Sequence, residues 1–526
     1  MNENKLKEYK KIPPEFRDKV YARGFLVTGK RQNTFAFPIL QNWAETEVCG
    51  YYFYTAKNQK VFIEKDDDYA IALIGHAYDP FRGISSEEKL ISALLEQYNS
   101  KEKNRFRTLL NQLTGIFTIF LFDQDGIHVI GDPSCIQTTF YTVYQDTLYV
   151  SSHTDLLGIL LDLEWDPYVK RLVGYRFFHL LGNSLPGDLT QFQEVKRLVP
   201  NHEVVIFQDK TIRVERFYLP HRLHVSDDEI VSAVADLMHK NLELITEKWK
   251  KPAISLTGGC DSKTTLACAN GLYDQFSYFS YISSESEKVD ADAAHRICRA
   301  LDLNHTIYEI PESDSEFPEI ETVRNLLYQN SGRICQSNSN DVRKRAFFAD
   351  TEEFDVEVKS WVSEVGRAYY SKRFHGRTRF GSFPTPRKCT TLYKFFLHNR
   401  KLVRDTDKVF ADYLKKYFRT AKTDPVEWQD QFFWEFRVPS WNGLVITGEH
   451  RYSFNITIPY NNRRILELLL STSLENRIHD NIYAKIREKM NPEIDRTGVA
   501  VTNLLHTENR ERLENIYYLL HCFFPM

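Results

Sequence analysis

The chain has 526 residues, too many for one ordinary core and enough for two domains with elaborations. Hydrophobic residues make up 42% and charged residues 26%, a balance that excludes wholesale disorder. With 68 Lys and Arg against 71 Asp and Glu, the net charge of −3 excludes a globally basic nucleic-acid binder, though not a local basic face. No apolar run approaches the roughly 18 residues of a membrane span. The opening Met-Asn-Glu-Asn-Lys-Leu-Lys lacks the apolar core of a signal peptide, so a cytoplasmic location is expected. None of the eight cysteines forms a C-x-x-C pair; buried free thiols are expected rather than a zinc knuckle or a dithiol redox site.

In chain order, short β-branched and aromatic runs at 20–28, 48–56, 115–122, 127–130, 138–143 and 148–151 predict strands. Asp123-Gln-Asp-Gly126 predicts the turn of a hairpin whose first strand is apolar on both sides, hence a sheet covered on both faces. Helices at 86–98 and 106–113 would supply one cover. Near His221–His224 the texture changes. Ser226-Asp-Asp-Glu229 opens a helix in capping-box form, running through 230–249. A strand at 253–257, a helix at 262–270, a strand at 276–282 and a helix at 290–301 then alternate, which predicts a parallel sheet. The remainder reads as helix-rich.

The chemistry concentrates in Ile254-Ser-Leu-Thr-Gly-Gly-Cys-Asp-Ser-Lys-Thr-Thr265, between a buried strand and a helix. Gly258 and Gly259 predict a tight turn that leaves amide groups and the helix dipole facing an anion. Ser255, Thr257 and Ser262 add hydroxyl donors, and Asp261 adds a carboxylate that suits phosphate carried with magnesium. Ser262-Lys263-Thr264 mimics the end of a Walker A loop, but that motif needs glycine at 257 and 262, where the chain has Thr257 and Ser262.

Thr257-Gly-Gly-Cys-Asp-Ser262 resembles the S-G-G-x-D-S pyrophosphate loop of the asparagine synthetase and β-lactam synthetase-like superfamily. The segment from Ser284 to His305 resembles that family's next strand end and helix. Gly115-Ile-Phe-Thr-Ile-Phe-Leu-Phe-Asp123, Gly131-Asp-Pro-Ser-Cys-Ile-Gln-Thr-Thr-Phe-Tyr141, Ser151-Ser-His-Thr-Asp-Leu-Leu157 and Arg197-Leu-Val-Pro-Asn-His202 resemble its amidotransferase-like half, in the same order. The resemblance implies an α+β layered sandwich of the Ntn-hydrolase type over residues 1–222. Over 223–526 it implies an α/β parallel-sheet domain of the PP-loop, adenine nucleotide alpha hydrolase-like type, with helical additions.

The departures bear on chemistry. Glutamine-using members begin the first half with an N-terminal Cys. Here the chain opens Met-Asn-Glu and the first cysteine, Cys49, reads as mid-strand, so glutamine hydrolysis is expected to be absent. Val358-Lys-Ser-Trp-Val-Ser-Glu-Val-Gly-Arg-Ala-Tyr-Tyr370 resembles the family's S-G-E-G-A-D-E segment in shortened form. Glu364 matches its glutamate, but the magnesium-holding aspartate is missing. Either Asp355 or Glu357 replaces it, or Arg367 binds pyrophosphate directly. Ser453-Phe-Asn-Ile-Thr-Ile-Pro-Tyr-Asn-Asn-Arg-Arg464 matches the family's E-x-R-x-P-F-L-D-x-R run at Pro459 and Arg463, with Asn455 and Thr457 in place of its ion pair, implying a reshaped acceptor pocket. The catalytic lysine of the cyclising branch falls on Tyr483, with Lys485 two positions on as a weak substitute.

The expectation is an ATP-dependent, AMP- and pyrophosphate-forming amide ligase using ATP and Mg2+. Ser255, Thr257, Gly258, Gly259, Asp261, Ser262 and Arg367 would hold the nucleotide and Asp261 the metal. Glu364 would be the base, assisted by Tyr369 or Tyr370, with Lys485 as a further candidate. Partners would be small-molecule or peptide carboxylates and amines, and a homodimer is left open. The rivals are an idle nucleotide-binding scaffold and an RNA-directed PP-loop enzyme. The latter is favoured by ten Lys and Arg interleaved with aromatics over 369–404.

Overall fold

The computed structural model describes residues 9, 11–100, 103–334, 336–373, 381–499 and 508–523. The first half builds two six-stranded sheets whose pairings are all antiparallel. One runs Lys196–Arg197, Phe140–Tyr144, Thr147–Ser151, Phe25–Thr28, Tyr51–Thr55, Ala44–Val48. The other runs Ile212–Arg216, His202–Phe207, Gly126–Gly131, Thr114–Phe122, Ala70–Tyr78, Val61–Lys65.

The pleat explains the layering. In Ala70–Tyr78, Ala70, Ala72 and Ile74 pack with Phe25, Val27 and Phe53 of the other sheet. Ile71 and Leu73, one residue out of phase, pack with Leu90, Leu94, Phe106 and Leu110 of helices Glu87–Asn99 and Lys103–Gln112. The opposite outer face, carrying Leu26, Tyr54 and Tyr149, is covered by Leu156 and Leu157 and by Val323, Leu326 and Leu327 of helix Ile320–Asn330. One cover therefore comes from the second half of the chain.

The second half centres on a five-stranded sheet ordered His305–Glu309, Ser277–Ile282, Pro252–Ser255, Val356–Val358, Asn455–Thr457, every pair parallel. Helices Asp227–Lys248 and Glu285–Ala300 bury apolar stripes in the same core, and helix Cys260–Cys268 adds Leu266, Ala267 and Cys268. The expected capping box is present: the Ser226 hydroxyl accepts the Glu229 amide and the Glu229 carboxylate accepts the Ser226 amide.

Several sequence expectations need correction. The run at 48–56 is two strands, Ala44–Val48 and Tyr51–Thr55, joined at Cys49 and Gly50, whose φ of 49° and 78° make a two-residue hairpin turn. Cys49 is thus an exposed turn residue, not mid-strand. The run at 20–28 is strand only from Phe25, because Tyr21 and Arg23 take left-handed φ of 51° and 52°. Of the described cysteines, Cys135, Cys268, Cys298 and Cys389 are buried and free, as expected; Cys335 lies outside the described residues. Among the described residues no helix is long and apolar enough to cross a membrane.

Candidate active site

In chain order the parallel strands stand 3-2-1-4-5, so the order reverses between Pro252–Ser255 and Val356–Val358. Loops leaving the carboxyl ends of two such strands diverge and leave a crevice. A cavity of about 340 Å3 lies there. Ser255, Thr257, Asp261 and Ser262 line it from the first strand and its turn. Ser280 and Tyr281 come from the neighbouring strand, Glu287 and Asp290 from the following helix, and Lys359, Ser360, Trp361 and Glu364 from the segment after Val356–Val358.

The strand–turn–helix forms as the sequence predicts, with a different role for its glycines. Gly259 has φ −73°, and neither glycine lies in the left-handed region. Gly259 serves a close approach instead: a Cβ there would meet Thr257 Oγ1 at 3.1 Å. The turn is tied by side chains. Ser262 Oγ accepts the Thr257 amide at 3.2 Å and donates to the Thr257 carbonyl at 2.9 Å. Thr257 Oγ1 accepts the Gly259 amide at 3.1 Å, and Asp290 Oδ1 accepts the Gly258 amide at 3.2 Å. Helix Cys260–Cys268 begins beside the crevice with no side-chain cap on its first amides. Asp290, pushed up by burial, stands where an anion would dock, a residue the sequence reading missed.

Asp261 is not a free carboxylate. Its Oδ1 accepts Ser363 Oγ at 2.7 Å, and its Oδ2 accepts Nη1 of Arg367. Arg367 also donates Nε and Nη2 to the two carboxylate oxygens of Asp480, at 2.9 and 2.8 Å. Burial would weaken this guanidinium, but the two carboxylates hold it firmly protonated. Burial likewise raises Asp480, and bonds from Arg367 and Lys372 outweigh it and hold the acid below its ordinary range.

Glu364 is the second residue of a short 3-10 turn, Ser363–Arg367, entered through Val362 at φ 76°. A β-branched residue rarely adopts that backbone, and such strain gathers at functional sites. Glu364 Oε2 is buried without a partner. Burial first, and then the charge of Asp261, push its carboxyl up to about 7. A carboxyl ionising near neutrality inside a cleft is suited to proton transfer.

The remaining expected residues separate from the cavity. Tyr369 stacks on Phe433 with ring centroids 4.6 Å apart, and Tyr370 is buried against the same ring. Neither lines the cavity. Lys485 is nearly half exposed and faces Asp228 and Asp227 at 3.5 and 3.8 Å, which places it on the outer surface. Tyr483, at the family lysine's position, is buried and donates to the Ser363 carbonyl at 2.7 Å. Glu357 is held by Lys359 Nζ at 2.7 Å, and Asp355 accepts the Lys250 and Lys251 amides, so neither replaces the missing aspartate. Asn455 and Thr457 also lie outside the cavity; Thr457 Oγ1 bonds His76 and Tyr78 of the antiparallel half.

A divalent cation does not fit these side chains as they stand. Both oxygens of Asp261 are taken, and among the described residues no three His, Cys, Asp or Glu converge. Within the basic stretch, residues 374–380 lie outside those described. Of the eight described cations, Arg387 pairs with Asp407, Arg373 with Glu514 and Lys372 with Asp480, and Lys394 donates to the Phe178, Leu180 and Gly182 carbonyls.

No family model matches the chain, and no curated protein does. Solved structures give weak likenesses. The allosteric regulatory enzyme of purine biosynthesis is 9% identical over 46% of this chain and 56% of its own, with a TM-score of 0.22. Glutamine phosphoribosylpyrophosphate amidotransferase from B. subtilis, complexed with ADP and GMP, is 10% identical over 68% and 72%, with a TM-score of 0.21. Glutamine-dependent NAD+ synthetase from Acinetobacter baumannii, in complex with ADP, is 12% identical over 44% and 52%, with a TM-score of 0.21. The chain thus spans little more than half the length of two of these three proteins. At such scores the likeness decides nothing about its activity.

Proposed function

We propose that the chain is an ATP-dependent amide-bond-forming ligase that adenylates a carboxylate and transfers it to an amine or ammonia, without hydrolysing glutamine. The observation that carries this reading is the uncapped helix start after Thr257-Gly-Gly, set at the reversal of a parallel sheet with a near-neutral Glu364 across the crevice. In this reading residues 1–222 form an Ntn-like scaffold domain and 223–526 a PP-loop-like ligase domain. A cytoplasmic location accompanies it, supported by the free thiols.

The triphosphate would lie on the first amides of helix Cys260–Cys268 and on Thr257 and Ser262, displacing Asp290 from Gly258. The substrate carboxylate oxygen attacks the α-phosphorus, and the bond to the bridging oxygen breaks to release pyrophosphate. Lys359 lines the cavity and Arg367 lies behind Asp261, so exchanging a carboxylate for phosphate would place either cation on the leaving group. The amine then attacks the acyl carbon, its proton passes to ionised Glu364, and AMP leaves.

The test is pyrophosphate release from ATP over a panel of carboxylates and amines, with Glu364→Gln as control. Release that needs both acid and amine and falls at least tenfold in the variant supports the ligase. A second reading, a nucleotide-binding scaffold, is favoured by the Asp261–Arg367–Asp480 bridge, which holds the loop's acid and cation closed on each other. Nucleotide binding without pyrophosphate release would select it. Against the RNA-directed reading, Lys372, Arg373 and Arg387 of the basic stretch are paired with acids of the chain itself.

A further inference from the structure

A second and larger cleft, of about 630 Å3, opens where the antiparallel half meets the parallel-sheet half. Arg23, Gln59 and Lys60 line it from one side, and Lys250, Arg451 and Asn455 from the other. It shares no lining residue with the nucleotide cavity.

Its charge is unbalanced on the buried side. Arg451 is 4% exposed and gives its guanidinium only to neutral amide oxygens, Gln137 Oε1 at 2.6 Å and Gln59 Oε1 at 3.2 Å. Arg23 donates to the Arg451 carbonyl, and its Nε is buried with no partner. Among the described residues neither guanidinium has a carboxylate within ion-pair distance. A buried charge left without a counterion is strongly destabilising. Burial pulls Arg23 down to about 10, and burial with the neighbouring Arg23 charge pulls Arg451 down to about 9.

Of the nearby acids, Glu352 stands exposed on the rim and the less exposed ones are committed elsewhere. Glu87 is paired with Lys248, Asp355 turns both oxygens to backbone amides, and Asp132 caps the amides of Ser134, Ile136 and Gln137. Lys60 and Lys250 stand exposed at the mouth, adding charge of the same sign. His76 bonds Thr457 Oγ1 at 3.1 Å and is held neutral by burial and by Lys248 and Arg451, so it neither adds to nor offsets that charge. Phe354, Phe454 and Trp249 supply walls on which a carbon skeleton can rest.

We propose that this cleft is a binding site for a small organic anion carrying at least two negative charges, a phosphate monoester or a polycarboxylate. Arg23 and Arg451 take its charged end, and Lys60 and Lys250 close over it. Because residues of both halves contact the ligand, its binding fastens the two together. The site stands independently of the ligase reading.

Three probes, inorganic phosphate, glucose 6-phosphate and citrate, are titrated into the full chain by calorimetry, with Trp249 emission and the melting temperature as further readouts. At least one is expected to bind with Kd below ~1 mM, change the emission and raise the melting temperature. Its affinity falls tenfold or more in Lys60→Glu/Lys250→Glu, whose side chains are exposed and whose folding is not at risk, and in Arg451→Gln. Affinity in Ser262→Ala, altered only in the nucleotide turn, stays unchanged. Failure of all three probes to bind more tightly than ~10 mM overturns the proposal. So does affinity undiminished by the rim variant, or lost in Ser262→Ala.

Discussion

Replacing Glu364 by Gln tests the electrostatics of the site through stability alone. An ordinary glutamate ionises near 4.5, whereas the folded chain holds this one protonated to about 7. An acid whose folded pKa lies above its unfolded value binds its proton more tightly when folded, so ionisation favours unfolding. The stability it contributes is complete below pH 4.5 and declines as pH rises through 7, because the unfolded chain releases the proton first. At ~1.4 kcal/mol per pH unit the loss reaches about 3 kcal/mol by pH 8. Gln keeps the shape and cannot ionise. Glu364→Gln should therefore match wild type at pH 4.5 and exceed it by about 3 kcal/mol at pH 8. For an unfolding entropy of ~2.1 cal/mol/K per residue, that is about 3 °C in the melting midpoint. Paired melting curves at the two pH values measure it. Curves that stay parallel would mean that the carboxyl ionises normally, and Glu364 would lose its claim as a base.

Three further changes probe the neighbours. Arg367→Gln leaves Asp261 without its cation and Asp480 with Lys372 alone, and should cost about 3–5 kcal/mol. Arg367→Gln/Asp480→Asn should recover part of this in thermal unfolding, and equal losses would deny the bridge. Lys485→Ala, on the surface, should alter stability by less than about 0.5 kcal/mol and leave pyrophosphate release unchanged; a tenfold drop in release would return Lys485 to the reaction. Gly259→Ala inserts a methyl at 3.1 Å from Thr257 Oγ1. It should weaken ATP binding about tenfold with little change in melting temperature, and unchanged affinity would place the phosphates elsewhere.

The strand–turn–helix at Thr257–Ser262 was legible because its signals are local: a β-rich run, paired glycines, hydroxyls and a helix start within a dozen residues. The parallel sheet followed from the spacing of such units. The strand Ala70–Tyr78, next to the sheet's edge, was missed although it is buried almost throughout. Its Ala, Gly and His content hides a strand whose side chains must be small where two sheets and a helix layer close in, and its Gly75, at φ 113°, would bring a Cβ to 2.2 Å from the Ile116 carbonyl. The Cys49-Gly50 turn was missed because aromatic and β-branched residues run up to it from both sides. Asp290 and Asp480 were beyond sequence reasoning for another reason. They reach the site from 32 and 113 residues beyond their partners Gly258 and Arg367, and only the tertiary fold brings them there. Lys485 shows the reverse error: proximity in sequence to Tyr483 places it on a different helix face, paired with surface acids.

The central claim is that the turn from Thr257 to Ser262 receives the phosphates of an adenine nucleotide. Amide hydrogen exchange of the full chain with and without ATP tests it most directly. The account predicts slowed exchange concentrated in peptides covering 255–264 and 359–367. Binding of ATP that leaves both segments unchanged, or protects only the second cleft, would contradict it.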